Sequence, residues 1–513
     1  MSRHSNSKVV INDVATPASL TGNIADVTEE QFANPATNAC KLCTPLGACL
    51  AFRGVRGAIP FLHGSQGCAT YIRRYLISHF RETMDIAASN FSETSAVFGG
   101  GLNIRIGLEN VLRQYQPELV GLATTCLSET IGEDLQGHLR EFHSKHITAE
   151  GTAPLPPIVP VSCASYRGTH ADGFHKAVRE LVRVLCPPAS EKPTPTNAGN
   201  NTDTPTTPLP RPAFSFPTPP PTALFPGMVS PADLRELRRI ADLFAIPVTI
   251  LPDYSDTLDG PSWTDYQKLP DGGTPVGDIR NLINANAAIE CGRVLAGTAI
   301  TAATLLAKHH GVPAHRIGLP IGLRESDRLM AIFATLTGHE PGWLPPALTA
   351  ERGRLIDSWV DGHKYVFEKR AIVYGEEDLV VGLASSLCEI GVVPVLCASG
   401  GRSGHLAAAL RDTIPELDER TQIVEGADFA EITARAVALN PAPDFLIGSS
   451  KGYTLARQLN IPLIRCGFPI HDRIGAQRTL HVGYAGAQTL FDRIANALLE
   501  RKQTDSSIGY AYL

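Results

Sequence analysis

Three cysteines stand where a thiol can do chemistry. Cys43 lies in "NACKLCTPLGA", Cys68 in "PFLHGSQGCATY" and Cys126 in "VGLATTCLSET". Each sits where Gly, Pro or Thr ends one element and a helical pattern begins. Thiolates are nucleophiles and soft metal ligands, and the amides of a helix N-terminus favour anions, so such positions are expected to lower a thiol pKa and suit metal ligation or redox work. A hydroxyl joins them: Ser165, in "VSCASYRGTH", follows the apolar run "PPIVPVS". All four are expected at one edge of one domain.

The elements that must position them follow from hydrophobic patterning. "AIPFLHG" precedes Cys68, "ELVGLATT" precedes Cys126, and "PPIVPVS" leads into "HADGFHKAVRELVRVL". Further on, "IPVTILPD" follows "PADLRELRRIADLF", and "KRAIVYG", "VPVLCASG" and "DFLIGSS" alternate with helical stretches such as "EDLVVGLASSLCEIG". Short apolar runs alternating with helices predict α/β architecture with doubly wound parallel sheets, in which ligands gather at the carboxyl ends of strands. The breaks predict three Rossmann-like domains over 1–226, 227–365 and 366–513. Between Cys186 and Pro226 the chain is rich in Pro, Thr and Asn, which predicts a solvated insert over about 187–224.

Composition narrows the function classes. The chain has 513 residues, 43% of them hydrophobic and 19% charged, and a formal net charge of -6. That is globular material for two or three domains, and it disfavours nucleic acid or an anionic membrane as the main partner. The opening "MSRHSNSKVVINDVATPASL" lacks the apolar centre of a signal peptide, and no stretch approaches 18 apolar residues, so a cytoplasmic location without membrane insertion is expected. Eleven cysteines in that setting should remain reduced.

Not every cysteine is a candidate. Cys49, Cys186, Cys291, Cys388, Cys397 and Cys466 lie on apolar helical or strand patterns, where a cysteine is a small hydrophobe. Cys40 and Cys43 form a C-x-x-C that could be half a zinc site or a redox pair, but no second pair completes a zinc tetrahedron. Cys163, beside Ser165, is a further possible ligand. "SGGRSGHL" lacks the Lys-Ser/Thr ending of a phosphate-binding loop and reads as a plain loop, and no dinucleotide fingerprint follows a strand. His63, His79 and His471 read as hydrogen-bonded structural residues. Tyr71, Tyr75 and Phe80, at helical spacing, read as core.

The ordered series "CTPLGA", "HGSQGCATYIRRYLISHFRE", "SAVFGGGLNIRIGLENV", "ATTCLSETIGEDL", "SYRGTHADGF", "FPGMVSPADLRELRRI", "ERGRLIDS" and "RCGFPIHDRIGAQR" resembles the β-type chain of nitrogenase component 1 and its relatives, from about Cys40 to Leu499. The resemblance implies a nitrogenase component 1 type fold and an oxidoreductase subunit. It further implies an α2β2 heterotetramer with an α-like subunit, fed with electrons by a separate ATP-binding [4Fe-4S] iron protein. It also implies that Cys43, Cys68 and Cys126 are iron ligands of an [8Fe-7S] P-cluster shared with the α-like subunit, with Ser165 a ligand in the oxidised state; a [4Fe-4S] cluster is the alternative.

Phe468 and Pro469 stand where an α-type chain carries a cofactor-binding histidine, so the substrate metallocofactor is expected in the partner and no catalytic residue in this chain. The retained ligand set favours a working reductase, with methylthio-alkane reductase as the leading member. A cofactor-maturation scaffold and a dinitrogen-reducing enzyme are the alternatives.

Overall fold

The computed structural model describes residues 40–147, 155–188, 219–298 and 300–508. Three sheets follow one another along the chain, and every strand pair within them is parallel. The first contains β1 (Ala58–His63), β2 (Ala87–Ala88), β3 (Leu119–Thr124) and β4 (Ile158–Val161), in the order β2-β1-β3-β4. The second contains β5 (Thr222–Phe225), β6 (Val248–Ile250), β7 (Ala287–Cys291) and β8 (Ala314–Ile317), in the order β6-β5-β7-β8. The third contains β9 (Arg370–Gly375), β10 (Val393–Ser399), β11 (Gln422–Val424), β12 (Phe445–Gly448) and β13 (Leu463–Arg465), in the order β11-β10-β9-β12-β13. The doubly wound α/β expectation holds. In each sheet the first strand has neighbours reached in opposite directions, which opens a crevice at its carboxyl end.

Central strands are apolar throughout because both faces are covered. Every residue of β1 and of β3 is buried, as parallel strands between two helical layers require. One hydrophobic core runs continuously through all three sheets, with smaller clusters on the outer faces of the first and third.

The expected insert is shorter than composition suggested. Residues 189–218 lie outside the described part, but Thr222–Phe225 is a fully buried strand pairing with β6 and β7. Flanking prolines hid it. The second sheet therefore begins before residue 226. At the other end, the helix Gly483–Asp505 packs on the helices Pro346–Val366 and Gly322–Leu336, which precede the third sheet.

The helix Thr44–Arg53 is buried at all ten positions. It lies against the helix His170–Leu185, and glycine on each side permits the approach. A Cβ on Gly47 would fall 1.7 Å from the carbonyl oxygen of His170, and one on Gly173 would fall 1.8 Å from that of Thr44. This crossing fixes the start of the buried helix, where Cys43 is the N-cap.

Candidate metal centre

The site is assembled from the carboxyl ends of β1, β3 and β4 and the N-terminus of the buried helix. After β1 the chain turns at Gly64, and Ser65 caps the helix Gln66–Phe80 by accepting from the Gly67 N–H at 3.3 Å. Cys68 is the third residue of that helix. Cys126 opens the short helix Cys126–Thr130, capped by Thr125 and Ser128. Both capping hydroxyls also donate to the carbonyl of His63, from Thr125 at 3.2 Å and from Ser128 at 2.8 Å. These bonds staple the two turns together. Gly64 is needed at the seam, because a Cβ there would lie 2.0 Å from Oγ1 of Thr125.

Ser165 begins a single 3-10 turn after β4, and its backbone N–H donates to Sγ of Cys126 at 3.2 Å. Thr124 holds this turn in place: its hydroxyl accepts from the Cys163 N–H at 2.9 Å and donates to Glu129 Oε1 at 2.6 Å. Ser162 donates to the same carboxylate oxygen at 2.7 Å. The residue after Cys43, Thr44, donates weakly to the carbonyl of Ala164 at 3.5 Å, linking the Cys43 cap to the Ser165 turn.

Burial separates the thiols cleanly. Of eleven free cysteines only Cys43, Cys68, Cys126 and Cys388 are not buried, and the first three share this edge. Their sulfurs feel one another: burial, then the neighbouring Cys43 and Cys126, push the Cys68 thiol up. The expectation of a lowered pKa fails for Cys68, because desolvation and two like-charged thiolates outweigh the helix N-terminus. Raised in this way, Cys68 stays a neutral thiol unless a cation joins the cluster.

The C-x-x-C divides. Cys40 turns into the third sheet, packing with Ile372, Tyr374 and Ala398, with the amides of Gly375 and Gly400 on its sulfur and burial pushing its thiol up to about 12. Cys163 is fully buried and faces Cys49. Neither belongs to the exposed set, and Cys388 lies elsewhere, beside Glu416 and Arg324.

Patterning missed one residue, Lys451. Burial lowers its pKa, while Cys40 and Cys43 oppose that shift, so its ammonium stands near both sulfurs; Nζ also donates to the carbonyl of Lys41 at 3.3 Å. Its signal was available in "GSSKGY", which follows β12 at a carboxyl edge. The histidines behave as expected. His63 bonds Ser89 and Glu133, His79 accepts from the Ile470 N–H, and His471 pairs with Ser78. The loop after Ser399 is a plain loop.

Tyr71 corrects the core assignment. It is 40% exposed, lies tilted against Tyr75 with ring centroids 4.5 Å apart, and sits one helical turn beyond Cys68. Exposed apolar side chains border the thiols in sequence: Leu127 follows Cys126 and Tyr166 follows Ser165. Soft donors from separate elements, half open to solvent and carrying an N–H bond to one sulfur, fit a thiolate-held metal group completed by ligands from outside the chain.

The family profile described as nitrogenase component 1 type oxidoreductase matches residues 43–499. The chain belongs to this family. It is a nitrogenase-like β chain of component 1, an oxidoreductase subunit. It is 33% identical over 482 residues to the nitrogenase molybdenum-iron protein beta chain of Methanothermobacter thermautotrophicus, covering 93% of this chain and 96% of that one. To the nitrogenase vanadium-iron protein beta chain of Trichormus variabilis it is 32% identical, covering 89% and 92%. The solved structure titled nitrogenase Cp1 at pH 6.5 superposes with a TM-score of 0.81 at 30% identity, covering 93% of this chain and 96% of that one. Among the described residues, no helix of this nitrogenase component 1 chain is long and apolar enough to cross a membrane.

Proposed function

We propose that this chain is the β-like, cluster-bearing subunit of a cytoplasmic nitrogenase-like reductase. Cys43, Cys68 and Cys126 hold iron of an interface P-cluster of the [8Fe-7S] type, whose remaining ligands come from an α-like subunit in an α2β2 assembly. When bound, the cluster supplies a low-potential electron relay between a transiently docked ATP-dependent [4Fe-4S] iron protein and a metallocofactor in the α-like subunit. The chain's own residues set the conditions for that relay. The Ser165 N–H lowers the charge density on the Cys126 sulfur, Lys451 offsets charge at Cys43, and Ser165 Oγ is an oxygen donor available to an oxidised state. The exposed apolar rim, covered by a partner, excludes water from the thiol edge.

One observation carries the reading: three of only four unburied cysteines stand close to one another at one edge of the first sheet. Among members, methylthio-alkane reductase, which cleaves C–S bonds reductively, is our leading assignment. It rests on the retained ligand set, which favours a working reductase over a scaffold, and on the helix "YIRRYLISHFRE" and tail "GFPIHDRIGAQRTLHVGYAGAQ", which resemble nitrogenase-like and scaffold-type relatives more than an ordinary nitrogenase β chain. The names of its relatives favour a second reading, a dinitrogen-reducing enzyme.

Anaerobic iron analysis of the purified complex tests the ligand set. The interface should hold about eight iron atoms per αβ pair beyond any substrate cofactor. Cys68→Ala should lose that iron and Cys388→Ala should keep it; full occupancy in Cys68→Ala overturns the assignment. Product analysis with a methylthio-alkane and with dinitrogen decides between the members.

A further inference from the structure

The carboxyl ends of β7 and β9 and the helix His170–Leu185 enclose a cavity of about 130 Å³. None of Cys43, Cys68, Cys126 or Ser165 lines it. Its walls hold an unusual set of donors, contributed after three different sheets' strands. His175 comes from the helix after β4, Glu290 from β7, and Glu376 and Asp378 from the N-cap and first turn of the helix after β9. Ligand atoms of His175, Glu376 and Asp378 all lie within 4.8 Å of one another.

The carboxylates are rigidly oriented before any ligand arrives. Glu376 caps the helix Glu377–Glu389, its two oxygens accepting from the N–H groups of Asp378 at 3.0 Å and Leu379 at 2.9 Å. Asp378 accepts from the Val294 N–H at 2.6 Å and the Leu295 N–H at 3.1 Å, one on each oxygen. Each oxygen has two lone pairs, so each Glu376 oxygen keeps one, and Asp378, which the Arg293 N–H also approaches, keeps at least one. Glu290 adds a further carboxylate to the same wall. Glu290, only 2% exposed, has one oxygen, Oε2, with no hydrogen-bond partner among the described residues. Arg316 Nε forms an ion pair with that oxygen at 3.7 Å, too long for a hydrogen bond. Leaving a buried carboxylate oxygen unsatisfied is costly unless something else compensates it.

We propose that this cavity binds one divalent first-row transition ion, with His175, Glu376 and Asp378 as ligands and Glu290 as countercharge. An imidazole nitrogen with carboxylate oxygens suits Mn²⁺, Fe²⁺ or Zn²⁺, and the absence of sulfur donors among the three separates this site chemically from the thiol edge. Protonation preferences agree. Burial holds His175 down to about 4, leaving the imidazole neutral and able to ligate. The ion would clamp the helix after the first sheet to the strand ends of the second and third.

The test uses the anaerobically purified complex, stripped with EDTA and titrated with Mn²⁺, with free Mn²⁺ read by room-temperature EPR. Wild type should take up one equivalent more per αβ pair than His175→Ala or Asp378→Asn, and Mn²⁺ should raise its unfolding midpoint but not theirs. Cluster iron and assembly size, measured alongside, should be unchanged in His175→Ala, so this result is independent of the thiol assignment. Equal Mn²⁺ uptake by wild type and His175→Ala overturns the site. If Asp378→Asn fails to assemble, because its carboxylate also receives two backbone N–H groups, His175→Ala alone decides.

Discussion

The backbone N–H of Ser165 donates to the sulfur of Cys126 at 3.2 Å. The bond comes from the main chain, so the side chain and the N–H at this position can be tested separately. Ser165→Ala should leave iron content and the reduced state unchanged while altering the oxidised-state EPR spectrum, where Oγ would bind. Ser165→Pro removes the N–H together with the hydroxyl, so its difference from Ser165→Ala reports the N–H. Ala164 already has φ -63° and ψ 123°, which suits the residue before a proline, and Ser165 opens its 3-10 turn, so little strain should follow. Losing a bond that stabilises the electron-rich sulfur should lower the midpoint potential, by on the order of tens of millivolts, in a redox titration.

Gly47 and Gly173 let two buried helices touch backbone to backbone. Gly47→Ala should cost about 3 kcal/mol, because the clash is with a carbonyl that no rotamer change can move. Urea unfolding should show the loss. Iron content should fall with it, since the same helix carries Cys43 at its cap.

Two buried histidines make the fold acid-sensitive. Burial holds His79 down to about 3 and His170 down to about 4, against an ordinary value of 6.5. Between about pH 6.5 and 4 the unfolded chain binds protons there and the folded chain does not, so stability should fall as pH drops through that window and level off above it. Each contributes a slope of up to about 1.4 kcal/mol per pH unit. His79→Asn keeps an acceptor for the Ile470 N–H and should give a shallower dependence in unfolding titrations.

Deleting residues 190–218 should leave cluster content and assembly intact, because β5 and its pairing begin only at Thr222. Size-exclusion chromatography and iron analysis check this. Dissociation of the complex would make the segment an interface element.

Long-range parallel strands were legible where a long apolar run carries both buried faces. "AIPFLH" and "LVGLAT" are unbroken apolar runs, and the turns after them placed Cys68 and Cys126 at strand ends. β8, "AHRI", has only its last residue buried and carries no such run, so patterning passed over it. β5 was masked by prolines. Tyr71 shares its helical spacing with core residues, and periodicity alone cannot say that its face of the helix is left uncovered. The His175, Glu376 and Asp378 cluster was invisible for another reason: each carboxylate reads as ordinary helix-start chemistry, and 201 positions separate His175 from Glu376. Only folding brings them together.

The divided C-x-x-C carries a mechanical consequence. Cys40 is seated in the core of the third sheet, where Gly400 packs against its backbone, while three positions later Cys43 caps a helix locked against the first. Three residues span at most about 11 Å fully extended. The tether therefore has almost no slack. Any opening between these two parts of the molecule must either unseat Cys40 or drag the Cys43 sulfur with it, so the thiol edge acts as a strain gauge for the distance between the first and third sheets.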